Sequence, residues 1–320
     1  MNFVPQNEIL LSTDYVDWCD YDWHEGDDAP GGIVNVDTYE IPAFFRKIAG
    51  NSQKYVVVSS KSDYGPVYQH QDNNLACFDM GRWLSLMMPA THGYNDATCP
   101  ARINRDRSDI NHRFSMKSWC HTLLTFEEVP DNVVQWFCTN SQINDLPNVS
   151  SIPYGINGRS KELEAAKTIS EWNMFADKRT TNTYVNFSIY TAERQELIQY
   201  LSRCVWATVK SGVSFTEYLQ DLATHTFTLC PNGNGPDCYR TLEALYMGSI
   251  PIIEHNKATD FWLQLQLPII MLPTVKMTTP SLLNKICQAN VQLLRHDQWD
   301  LGTISRTYWK NIIEEQGNKI

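Results

Sequence analysis

The sequence predicts an α/β protein in two halves. Short apolar runs alternate with amphipathic stretches, a glycine loop joins one such run to a helix after Cys230, and the pattern breaks between Gly155 and Ser170. Strands alternating with helices imply parallel sheets joined by right-handed crossovers. A chain of 320 residues, 42% hydrophobic and 19% charged, has the apolar content for two cores.

In the first half, Ile9 to Leu11, Ile33 to Val36, Tyr55 to Ser59 and Val133 to Cys138 are apolar runs of strand length, and Pro42 to Ala49 is amphipathic. Between the first two runs, Asp14, Asp17, Asp20, Asp22, Glu25, Asp27 and Asp28 interleave with Trp18, Tyr21 and Trp23. Calcium-loop spacing is missing, so this reads as a solvated acidic loop packed down by its aromatics. Glu162 to Asp177 carries Leu163, Ala166, Ile169 and Trp172 at helical spacing and reads as the linker helix. The domain boundary falls at 158/159, giving domains 1–158 and 159–320.

The second half reads as strand Tyr184 to Tyr190, helix Ala192 to Arg203, strand Val205 to Val209, helix Phe215 to Ala223 and strand Thr226 to Cys230. The glycine loop follows, then a helix starting at Pro236, where a missing N–H costs nothing, and strand Ile250 to Ile253. Pro268 to Leu272 is a further strand, Ser281 to Leu294 a helix, and Ile304 to Glu315 a closing helix.

No apolar run reaches membrane-span length, and the first residues lack a basic start and an apolar core, so a cytoplasmic protein is expected. Nine cysteines without a Cys-x-x-Cys pair read as reduced thiols, Cys230 and Cys238 included, and no zinc site is proposed.

The loop Pro231 to Cys238 is the stretch with the most chemistry. Gly233 and Gly235 let backbone approach an anion, and the following helix turns its free N–H groups and positive dipole end toward the loop. Arg240 and Glu243 lie three apart on one helical face, a guanidinium suited to phosphate oxygens and a carboxylate suited to two ribose hydroxyls. Gly233, Asn234, Gly235, Asp237 and Cys238 complete the candidate donor-binding set, although Cys238 also shares the buried-face spacing of Leu242 and Leu245.

Phe227 to Ile253 resembles the donor-binding motif of exostosin-type glycosyltransferases, in which proline, glycine, arginine, glutamate and a Gly-x-Ile-Pro strand recur in this order. Val134 to Asn140 with Ser151 to Asn157 resembles the strand and interdomain crossing of soluble members. Val56 to Gly65 resembles their strand-to-loop Ser-Asp-Tyr signature. The resemblance implies the GT-B arrangement, two Rossmann-like domains facing a central cleft, the first on the acceptor side and the second holding the donor. It also implies a UDP-sugar co-substrate, inversion at the anomeric centre and no required metal or other cofactor. The missing membrane segment points to a bacterial or viral relative.

Transfer needs a base for the acceptor hydroxyl. Asp63, on a polar loop after the strand Tyr55 to Ser59, is the first candidate, with a turn-forming role before Tyr64-Gly65-Pro66 as the alternative. Asp14 is the second. The insertion 67–127 has no counterpart in the compact family pattern; its Arg102, Arg105 and Arg107 are candidate acceptor-binding residues in a chain of net charge −10. The acceptor is thus a glycan or glycoconjugate hydroxyl, or a hydroxymethylated base of viral DNA. A non-catalytic nucleotide or sugar binder is the third reading.

Overall fold

The computed structural model describes residues 4–38, 40–60, 129–141, 143, 146–156, 167, 179–189, 192–233 and 235–320. They form an α/β protein with two parallel five-stranded sheets. In the first sheet, β1 (Tyr21–Trp23), β2 (Gly32–Val36), β3 (Tyr55–Ser59), β4 (Val133–Cys138) and β5 (Val149–Ser151) lie side by side in chain order. The second holds β6 (Thr180–Val185), β7 (Ala207–Val209), β8 (His225–Cys230), β9 (Ile250–Glu254) and β10 (Ile270–Leu272) in the order β10-β9-β8-β6-β7.

Alternation along β3 explains how the first sheet is covered. Tyr55 and Val57 point to one face, where they join Trp136, Phe44, Phe45 and Ile48 in one core. Ile41, Phe44, Phe45 and Ile48 recur at helical spacing along α2 (Ile41–Ile48), so the helix buries one stripe there. The Phe44 ring meets Trp23 and Tyr55 edge-on at 5.1 and 5.5 Å. Val56 and Val58 point to the opposite face and belong to the core that contains Trp309 and Ile313. Those residues sit on the closing helix, so the end of the chain returns to cover the first sheet. With both faces covered, β3 reads as an unbroken apolar run.

The remaining helices are α1 (Asp14–Asp17), α3 (Ala192–Leu201), α4 (Phe215–Thr224), α5 (Tyr239–Tyr246), α6 (Phe261–Gln264), α7 (Pro280–Ala289) and the closing α8 (Arg306–Gly317). Ser214, Thr279 and Ser305 each accept a backbone N–H three residues on, which fixes the starts of α4, α7 and α8.

Several expectations shift. Ile9 to Leu11 forms isolated bridges, Ile9 to Ser305 and Leu11 to Ile156, because both partners are single extended residues rather than strands. The acidic segment is ordered: Asp20 Oδ2 accepts the Ile33 N–H and Asp22 Oδ1 accepts the Asn35 amide, pinning β1 to β2. Its aromatics do pack inward, with Trp18 and Trp23 buried. The strand expected at Tyr184 to Tyr190 lies earlier, at β6, pairing with both β7 and β8. The helix expected over Ser281 to Leu294 ends at Ala289, and a 3-10 turn follows over Val291–Leu294. The linker helix and the 67–127 insertion lie outside the described residues, Lys167 apart. Among the described residues, no helix is long and apolar enough to cross a membrane.

The segment leaving the first sheet is pinned where Gly155 crosses Leu11 and Ser12. Ser12 N donates to Ile156 O and Ile156 N to Leu10 O, both at 3.0 Å. Gly155 has φ +82, and a Cβ there would lie 2.5 Å from Ser12 N. Only glycine supplies both the left-handed backbone and the space.

Candidate donor site at the strand-order reversal

In the second sheet the strand order reverses between β6 and β8, and ligands in open α/β sheets bind at the carboxyl ends beside such a reversal. Two segments emerge there: Asn186 to Ser188 after β6, and the glycine loop after β8. Each leads into a helix that carries an arginine near its start, Arg194 on α3 and Arg240 on α5.

Both guanidiniums approach one ring. Arg194 lies 5.3 Å and Arg240 5.9 Å from the Phe187 centroid. Arg240 Nε donates to Asn186 O at 3.0 Å, and its Nη1 reaches Cys238 Sγ at 3.4 Å. Arg194 Nη1 donates to Ser188 O at 2.9 Å, and its Nε and Nη2 both donate to Asn232 O. The loop after β8 is therefore tied to the loop after β6 by a cation. Among the described residues no carboxylate lies within salt-bridge distance of Arg240. Burial works against its charge, but Cys238, Tyr218, Cys230 and Glu243 outweigh it and push its pKa further up.

α5 begins at Tyr239, three residues later than expected: Pro236 and Asp237 form a bend, and Cys238 is an N-cap in extended conformation with no side-chain cap bond. The Thr241 N–H in the first turn of α5 is taken up by Cys238 O at 3.1 Å. Gly233 N donates to Gly235 O at 2.7 Å, which closes the loop on itself. A Cβ on Gly233 would lie 3.6 Å from Cys238 Cβ, an ordinary contact, so the packing of the described residues does not itself demand glycine there. Cys230 and Cys238 are free thiols.

Glu243 lies one turn beyond Arg240 and is buried. Its Oε2 accepts the Tyr218 hydroxyl at 2.8 Å. Burial raises the carboxyl pKa, opposed by that bond and by Arg240. Asp237 reaches across to the N-terminal half with both its side chain and its own N–H.

Asp14 is also away from the loop. Its Oδ2 accepts the Leu11 N–H at 2.8 Å and its Oδ1 pairs with Arg306 Nε at 2.9 Å, so it anchors the start of α8. Burial is the largest influence on its carboxyl and raises the pKa. Asp63, Asn234, Arg102, Arg105 and Arg107 lie outside the described residues. Sequence reasoning missed Arg194 and Tyr218. A cation opening the helix after the first strand of the second half was the available signal for Arg194; nothing in the sequence pairs Tyr218 with Glu243.

Residues 173–268 match the family model of the RXYLT1 C-terminal domain, which belongs to an exostosin-like glycosyltransferase family. The matched stretch contains β6 through α6, and with it Phe187, Arg194, Tyr218, Arg240 and Glu243. The match points to a glycosyltransferase. No curated protein matches the chain.

Proposed function

We propose that this protein moves a sugar from a UDP-sugar to a hydroxyl of a glycan or glycoconjugate, with inversion, in a cleft between two facing Rossmann-like domains. The observation that carries the reading is the pair of guanidiniums sharing the Phe187 ring beside the start of α5. Two like charges held near one ring repel each other, and a diphosphate between them converts that repulsion into attraction. The helix N-terminus adds the positive end of its dipole. These groups meet the charge that develops on the leaving diphosphate, which is the basis for proposing transfer without a bound metal.

Glu243 is placed to accept ribose hydroxyls, with Tyr218 fixing one of its oxygens. Gly233, Asn234, Gly235 and Cys238 line the diphosphate loop in this reading. Asp63, four residues past the end of β3 in the sequence, remains the proposed base, with Arg102, Arg105 and Arg107 on the acceptor side.

Calorimetric titration with UDP and with UDP-sugars, followed by mass spectrometry for enzyme-dependent sugar release, tests this reading. Micromolar UDP affinity with release from one sugar supports it. Binding without any release favours a non-catalytic binder, and no binding ends the donor assignment.

A further inference from the structure

Asp237 joins the donor loop to the N-terminal half. Its backbone N–H donates to Asn140 Oδ1 at 2.7 Å, and its Oδ2 accepts the Tyr154 N–H at 3.2 Å. Both partners lie just past the carboxyl ends of their strands, Asn140 after β4 and Tyr154 after β5. The next aromatic residues reinforce the joint: Tyr154 meets Tyr239, the first residue of α5, edge-on at 4.7 Å. The joint thus bonds the residue between the glycine loop and the donor helix to the edge of the other sheet.

The joint is maintained at a cost. Asn140 is a non-glycine residue at φ 54, a conformation that asparagine tolerates better than most residues but that still carries strain. Its Nδ2 and Asp237 Oδ1 are both buried without a hydrogen-bond partner. Strained backbone and unsatisfied buried polar atoms persist where something besides stability holds them in place.

We propose that Asp237 is a positioning residue, which registers the donor loop against the N-terminal half so that the transferred sugar meets the acceptor, without itself contacting the diphosphate. This rests on the glycosyltransferase reading above. Donor affinity then resides in Arg194, Arg240 and Glu243, whereas turnover depends on the Asn140–Asp237–Tyr154 joint. Small displacements of a reacting group cost about a hundredfold in rate, so loosening the joint acts on kcat.

Protonation gives an independent readout. Burial pushes the Asp237 carboxyl up to about 6, with the Tyr154 and Cys238 N–H groups opposing. The other titratable groups around it are Tyr15 from α1, Cys230 from β8 and the adjacent Cys238; burial raises all three pKa values and keeps them neutral below pH 8. Thr241 and Trp262 face the carboxylate as uncharged groups. Deprotonated Asp237 accepts the Tyr154 N–H on Oδ2, and protonation removes acceptor capacity from the joint.

The experiment measures UDP affinity by calorimetry and kcat across pH 5–8 for the full chain and its variants. Asp237→Ala lowers kcat about ten- to a hundredfold while UDP affinity stays within about twofold. Asp237→Asn recovers part of that loss and abolishes the acid limb of kcat near pH 6. Asn140→Gly, which relieves the strained φ and removes the acceptor for the Asp237 N–H, lowers kcat without lowering the melting temperature. UDP affinity falling in step with kcat/KM would make Asp237 a donor contact and overturn the proposal, as would unchanged kcat in Asp237→Ala or Asn140→Gly. Wild-type protein that binds no UDP fails the earlier reading instead; slow hydrogen exchange at the Asp237 amide, lost in Asn140→Gly, then reports the joint by itself, and fast exchange in wild type overturns it.

Discussion

Tyr218 on α4 donates its hydroxyl to Glu243 on α5 at 2.8 Å, so the carboxylate proposed to hold ribose is oriented by a neighbouring helix. Tyr218→Phe removes that donor from a buried carboxylate, a loss of about 1–3 kcal/mol of stability, and weakens UDP binding. Glu243→Gln keeps the shape and weakens UDP binding about tenfold through the lost charge. Denaturant titration and calorimetry check both. Intact UDP affinity in Glu243→Gln would remove Glu243 from the donor site.

The two arginines differ in their second roles. Arg240→Ala lowers UDP affinity by about tenfold or more and lowers the melting temperature less than Arg194→Ala does, because it leaves one carbonyl, Asn186 O, without its donor rather than two; lysine restores little because an ammonium lacks the planar fork. Arg194→Ala lowers both affinity and stability, since Asn232 O and Ser188 O lose their donor. Equal stability losses in the two variants would contradict this division.

Asp63→Asn leaves UDP affinity nearly unchanged and cuts transfer by roughly two orders of magnitude or more. Asp14→Asn retains transfer, because Asp14 is engaged by Arg306 and Leu11. Single-turnover assays on both variants decide the matter, and transfer lost in a folded Asp14→Asn would move the base assignment there.

Gly155→Ala drives a Cβ to 2.5 Å from Ser12 N at φ +82. The cost is on the order of 3 kcal/mol, visible as a lower urea midpoint. An unchanged midpoint would mean that the crossing of Gly155 over Ser12 relaxes freely.

His296 Nε2 donates to Gly248 O at 2.8 Å, and burial holds the ring pKa below 6.5. The unfolded chain therefore takes up its proton first as pH falls. The stabilisation is fully present above pH about 6.5 and is lost as pH drops toward the folded pKa. The melting-temperature advantage of wild type over His296→Gln shrinks from pH 7 to pH 5. Asp237 contributes in the opposite sense over part of this range, but equally in both proteins, so it cancels in the difference. A pH-independent difference would show that His296 does not titrate with folding.

The sequence by itself determined the α/β class and most of the strands, because a parallel strand covered on both faces must be apolar throughout, as in Tyr55 to Ser59 and Ile250 to Ile253. It also placed Arg240 and Glu243 on one face of α5, since helical periodicity is local. Strand order was another matter: β1 is three residues long and acidic, and only its partner β2 gives it a ladder. The closing helix was legible as a helix but not as the cover of the first sheet, where α8 packs on β3 from some 250 positions away in the chain. Tertiary structure alone brought Arg194 to the glycine loop, seated Asp14 on Arg306 and turned Asp237 toward Asn140 and Tyr154. Such pairings depend on where separate backbones meet, and a buried polar group takes whichever partner the packing brings within reach.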